Sequence, residues 1–110
     1  MSAIALTLTV PNTPSDLACQ QVNIVIAEGI AEPQDLSGLQ LPGSINWSKG
    51  MVLSGRAPIW VYAYLVHECH AAAWVACYDP RLAGAVVVES HRKGVEVGRV
   101  IPLTSATGEK

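Results

Sequence analysis

Residues 51–78 read MVLSGRAPIWVYAYLVHECHAAAWVACY, and the fold follows from where this stretch changes its period. MVL is a short apolar run stopped at Ser54-Gly55, as a strand ends. Pro58 stands where a first helical turn tolerates it, because the N–H it lacks would have no intrahelical partner. The spacing predicts a helix from Pro58 to His70. A short link then leads to a strand from Trp74 to Tyr78. Two strands joined by a helical crossover lie parallel, so this stretch is a strand-helix-strand unit.

Working outward, Asp79, Pro80 and Arg81 form a tight turn into a strand from Ala85 to Ser90, and Arg92-Lys93-Gly94 turns the chain into a last strand, Val95 to Leu103. Upstream, AIALTLTV (3–10) alternates Ile4, Leu6, Leu8 and Val10 against Thr7 and Thr9, the period of a half-buried strand. After the turn-rich PNTPSD, QVNIVIA (21–27) repeats the pattern with Val22, Ile24 and Ile26. Between Glu32 and Lys49, EPQDL suits a short helical turn, while LPGSIN and WSKG suit loops. The tail TSATGEK has no apolar pattern and is expected to fray. The expected fold is α/β: a single small domain over residues 1–110, ordered from about 3 to 103, with a mixed β-sheet and a thin helical layer.

Half of the 110 residues are apolar, enough for one real core. A net charge of −2 argues against duplex nucleic acid as a partner, since that binding neutralises many successive phosphates with Lys and Arg. Any anion must be held locally. Cys19, Cys69 and Cys77 match neither a zinc spacing nor a disulfide framework, and are expected to be reduced, mostly buried thiols. The longest apolar run, near residues 57 to 66, is too short to span a bilayer. The expectation is a cytoplasmic protein with no membrane partner.

Chain direction sorts the polar residues. In a strand-helix-strand unit the strand ends and the helix start share one edge of the sheet. Ser54, Gly55, Arg56, Asp79 and Arg81 fall on that edge, beside a helix N-terminus whose free N–H groups favour anions. His67 and His70 fall at the opposite edge, roughly 15 to 18 Å away at about 1.5 Å of rise per residue. The strand ending at Ser90 also arrives there, bringing Glu89 and His91. Neither edge carries a complete reactive set. A reaction needing both requires two molecules stacked with one edge facing the other, a head-to-tail contact.

Each feature has an ordinary reading as well. A histidine pair at i and i+3 shares one helix face and can hold a metal, but is often a surface or cap pair. Asp-Pro-Arg alone is a turn, and Ser-Gly-Arg before a helix is a weak motif. Trp60, Trp74, Tyr62, Tyr64 and Tyr78 suit the core better than base stacking. Cys69 and His70 are adjacent and diverge on a helix, which argues against a nucleophile and base. Glu68 and Glu89 are further metal-ligand candidates that more commonly just solvate a surface.

From Val52 to about Leu103, and above all in SGRAPIWVYAYLVHECH, WVACYDPRL and GAVVVESH, the chain resembles the small stand-alone ring nucleases of type III CRISPR systems. The resemblance implies a distantly Rossmann-like domain that binds the second messenger cyclic tetra-adenylate and linearises it, switching off antiviral signalling. It implies dependence on manganese, and a homodimer that sandwiches the ring with another dimer in a ligand-bridged tetramer or filament. Carried over by position, it places the catalytic group on His67, His70, Asp79 and Arg81, and the ligand turn on Ser54, Gly55 and Arg56, with Arg81 also contacting ligand. The metal set falls on His70, Asp79 and His91. The RLAGA loop after the aspartate is slightly longer than in some relatives, which bears on the placement of His91.

Cleavage of the ring requires an activated 2′ oxygen or water, a stabilised phosphate charge and a protonated leaving 5′ oxygen. Three other functions fit parts of the same pattern: a sensor or sponge that binds the ring without cleaving it, a manganese-dependent ribonuclease acting on linear RNA ends, and an adaptor domain.

Overall fold

The structure is a computed structural model that describes residues 3–14 and 17–103. Ser15 and Asp16 of the PNTPSD turn, and the tail from 104 to 110 expected to fray, lie outside the described residues. Six strands, β1 (Ile4–Thr9), β2 (Cys19–Ile26), β3 (Gly50–Ser54), β4 (Trp74–Asp79), β5 (Gly84–Ser90) and β6 (Val100–Pro102), form one sheet in chain order. One helix, α1 (Ile59–Glu68), lies between β3 and β4. Strands β2, β3 and β4 are parallel, while β1–β2, β4–β5 and β5–β6 pair antiparallel. The chain is thus the single α/β domain with a mixed sheet that the period changes predict.

The parallel centre explains the layering. Passing from β2 to β3 to β4 takes two crossovers in one direction, and right-handed crossovers of that kind land on the same face. Both do so here: Leu36, Leu39, Leu41 and Ile45 from the first pack with Val61, Leu65 and Cys69 from the second onto Ile4, Val22, Ile24, Met51, Leu53 and Val75. Val61 and Leu65, at i and i+4, are the fully buried stripe of α1, each stabilising the docked helix by about 1.5–3 kcal/mol. The first crossover is irregular apart from short 3₁₀ turns, one at Pro33–Leu36 where EPQDL predicts it. The opposite face carries Val52, Trp74, Ala76, Ala85, Val87 and Ile101, closed over by Leu17 and Val95 from loops.

Several boundaries differ from the sequence reading. The last strand is only Val100–Pro102, not Val95–Leu103. Val95 is instead 4 % exposed, a loop side chain that fills the second core, with its N–H bonded to Arg92. Val10, expected inward, follows the end of β1 and is 70 % exposed. The second strand opens at Cys19, two residues before Gln21. Helix α1 starts one residue after Pro58, which stands outside it with an extended ψ of 155° while its carbonyl accepts from Val61 and Tyr62. The helix stops at Glu68, where the Cys69 N–H is shared between the Leu65 and Val66 carbonyls, so His70 occupies the following turn. Among the described residues no helix is long and apolar enough to cross a membrane.

Candidate functional site

The edge where β3 and β4 end holds all five residues assigned to it. Leaving β3, the chain passes Gly55 at φ +153°, where a Cβ would stand 2.3 Å from the Ile24 carbonyl oxygen. Only glycine fits this close approach, and it aims the Ser54–Arg56 turn at the rim. The Tyr62 hydroxyl, from the first turns of α1, donates to the Gly55 carbonyl at 2.7 Å. Burial pushes the Tyr62 phenol up, against the lowering effect of that backbone contact, so it is a protonated donor at neutral pH. Arg56 has no hydrogen bond or ion pair with any described residue.

Asp79 closes β4 and caps the 3₁₀ turn Pro80–Leu82. One carboxylate oxygen accepts from the Arg81 backbone N–H at 2.9 Å, and the other from its guanidinium at 3.1 Å. The guanidinium contact, then the backbone one, holds the Asp79 carboxyl below the usual carboxylate range. Asp79 is therefore a carboxylate through neutral pH, and Arg81 is occupied by it. Gly55, Arg56, Ile59, Tyr62, Asp79 and Val86 are among the residues lining an open pocket of about 540 Å³ between the start of α1 and the β4–β5 turn. Cys77 also faces it, and burial raises this thiol.

All three histidines gather at the other edge. The rings of His67 and His70 stack with centroids 5.8 Å apart and planes inclined by 23°. His70 Nδ1 lies 2.9 Å from the His67 carbonyl oxygen. A carbonyl only accepts, so Nδ1 carries a proton and, in the neutral ring, Nε2 holds the lone pair. His91 Nε2 lies 2.9 Å from the His70 carbonyl oxygen and 3.1 Å from a Glu89 carboxylate oxygen. Both are acceptors, so Nε2 of His91 carries a proton and, in the neutral ring, Nδ1 is the free donor atom. Carbonyl- or carboxylate-anchored imidazoles with one lone pair presented are the usual form of a metal-ligating or proton-transferring histidine.

One protomer does not bring the two sets together. Ala73 and His91 meet at the foot of β4 through a backbone hydrogen bond, and Asp79 is at its head, about 20 Å away over six residues at about 3.3 Å each. Among the described residues no group of three or more His, Cys, Asp or Glu side chains is placed to hold a metal ion. His70, Asp79 and His91 form a metal set only if Asp79 comes from another molecule. The sequence reading placed Tyr62 in the core, and half of that is right: its ring packs there while its hydroxyl reaches the turn. Seven residues separate Tyr62 from Gly55, and no periodicity signals such a bond. Glu89, a candidate ligand by type, lies within ion-pair distance of His91, 3.1 Å from its Nε2.

Residues 24–102 match the family model described as CRISPR-associated protein (Cas_csx3). The chain belongs to this family. The match runs from β2 to β6 and takes in every candidate residue at both edges. Over 72 residues the chain is also 43 % identical to an uncharacterized protein of Aquifex aeolicus (strain VF5), an alignment covering 63 % of this chain and 65 % of that protein. The matched region thus spans just under two thirds of that relative's length.

Proposed function

We propose that this CRISPR-associated chain binds cyclic tetra-adenylate and linearises it by phosphodiester cleavage, with manganese, at a site completed only when two protomers meet head to tail. The observation that carries the reading is the division of the polar residues. Arg56, Asp79 and Arg81 stand at one edge of the sheet, and His67, His70 and His91 at the other.

Opening the ring breaks a P–O5′ bond as an oxygen nucleophile, the 2′ hydroxyl or a water, bonds to phosphorus. A proton leaves the nucleophile and another reaches O5′. Arg56, unpaired among the described residues, and the first N–H groups of α1, which lack a side-chain cap, receive phosphates. Arg81 exchanges Asp79 for the attacked phosphate and stabilises its growing charge. His70 Nε2, its ring oriented by the His67 carbonyl, presents one lone pair, which either takes the proton or holds the metal. Asp79, ionised at neutral pH, acts as an acceptor or a metal ligand and not as an acid. Imidazole nitrogen and carboxylate oxygen are a donor set that manganese accepts, with His70, His91 and the facing protomer's Asp79 to hold it. Bound there, the ion supplies positive charge against the phosphate. A two-fold dimer presents each phosphate contact twice, which suits a ring of four equal phosphates, and dimers stacked through such rings build the tetramer or filament.

Purified protein incubated with cyclic tetra-adenylate, with manganese or with a chelator, is expected to yield linear products only with the metal. His70→Ala and Asp79→Ala, each inactive alone, are expected to recover activity when mixed, because one composite site in the mixed stack is intact. Mixtures as inactive as their components would sink the shared site. A second reading rests on Arg56 and the α1 start, which are complete in one protomer: a sensor or sponge that binds the ring without turnover. Binding with intact ring in both incubations selects it.

A further inference from the structure

We infer that Tyr62 is a positioning residue for ligand binding: its hydroxyl, bonded to the Gly55 carbonyl, holds the Ser54–Arg56 turn in the conformation that receives phosphate. This rests on the phosphate-binding role of the turn proposed above. The turn has few other restraints. No backbone hydrogen bond outside the regular elements involves residues 55 to 57, and Pro58, at the N-cap, supplies no side-chain cap. Arg56 has no partner among the described residues to hold it. Ser54 is held in β3 by its pairing with Asn23, and Ala57 packs against the core; between them, Gly55 abuts Ile24 on one side and is held by the Tyr62 hydroxyl at 2.7 Å on the other.

The tether is well anchored at its own end. Tyr62 sits on α1 one residue from the fully buried Val61, and its ring packs against the sheet core. A rigid element therefore fixes a loop through one hydrogen bond. A turn held before ligand arrives loses less freedom when it binds, and that saving appears as affinity. The bond does not touch the reacting atoms, so it acts on binding and not on the chemical step.

Tyr62→Phe removes the hydroxyl and keeps the ring in the core. Tyr64→Phe is the matched control, since Tyr64 packs on the same helix and its hydroxyl has no hydrogen bond to a described residue. For Tyr62→Phe, backbone ¹⁵N order parameters of Gly55, Arg56 and Ala57 are expected to fall in the ligand-free protein. KM and Kd for cyclic tetra-adenylate are expected to rise roughly three- to tenfold, with kcat at saturation within about twofold. Tyr64→Phe leaves all of these unchanged. Unaltered order parameters and affinity in Tyr62→Phe overturn the inference, as does a fall in kcat at constant KM, which would put the hydroxyl in the chemistry. Wild-type protein that does not bind the ring overturns the functional reading, and this role with it. Wild-type binding alongside unchanged Tyr62→Phe binding overturns the tether alone.

Discussion

His91 grips the turn that presents His70 at both of its ends. Its ring nitrogen Nε2 donates to the His70 carbonyl at 2.9 Å, and its backbone N–H donates to the Ala73 carbonyl at 2.9 Å. The end of β5 is thus fastened across the chain that links α1 to β4. A residue proposed above as a metal ligand is also a strut for its neighbour.

His91→Ala is therefore expected to loosen residues 70–73 more than it weakens the whole fold. The lost hydrogen bond is partly exposed, so global stability in urea should fall by no more than about 1 kcal/mol. Locally, the Ala72 and Ala73 amides, bonded to the Cys69 and Lys49 carbonyls, should exchange with solvent faster. Hydrogen exchange read by NMR checks this. A uniform change across the sheet would mean that the clamp has no local role.

Gly55→Ala is expected to cost more than its size suggests. The added Cβ would lie 2.3 Å from the Ile24 carbonyl oxygen, a backbone atom of β2 that cannot rotate away. Moving the turn instead gives up the Tyr62 contact. A loss on the order of 1–3 kcal/mol, the usual range for such strain, should appear in thermal or urea unfolding. Binding of cyclic tetra-adenylate should weaken beyond the effect of Tyr62→Phe, since the turn itself is displaced.

The cysteines make the fold sensitive to alkali. Burial, with smaller contributions from Glu68 and Cys77, pushes the Cys69 thiol up to about 12, and burial also raises Cys19 and Cys77. The neutral thiol is thus favoured by the folded state. Its stabilising contribution is complete below the ordinary thiol value near 9, and is lost as pH rises from there towards 12. Urea unfolding across that window should show stability falling with pH, with a shallower fall in Cys69→Ala. Equal slopes would count against a buried neutral thiol. At pH 7 to 8 alkylation of the native protein should be slow, and first at Cys77, which is partly exposed.

Much of the architecture is legible in local pattern. Alternation in AIALTLTV, the shift to i and i+4 at Val61 and Leu65, and the turn chemistry of Asp79-Pro80-Arg81 each report a short-range preference that the folded chain keeps. Connection type then sets strand direction, and direction alone sends Arg56, Asp79 and Arg81 to one edge and the histidines to the other. The last strand was misread because Val95 is apolar for a reason that pattern does not separate from a strand: it seals a core from a loop.

Tertiary structure decided much of the state of the site. The proton of His70 is set by the His67 carbonyl, and that of His91 by a carbonyl 21 residues away. Asp79 holds Arg81 on an exposed turn, while Arg56 beside it has no partner among the described residues. Tyr62, whose ring belongs to the core by composition, spends its hydroxyl on the Gly55 carbonyl. The His70 and Asp79 contacts span two or three residues and depend on the turn that carries them, while the His91 and Tyr62 contacts depend on where one polar atom stands relative to another after the loops have closed. Such positions follow from the packing of the whole domain, whereas hydrophobic period and connection length, which the sequence does carry, determine only which elements form and which way they run.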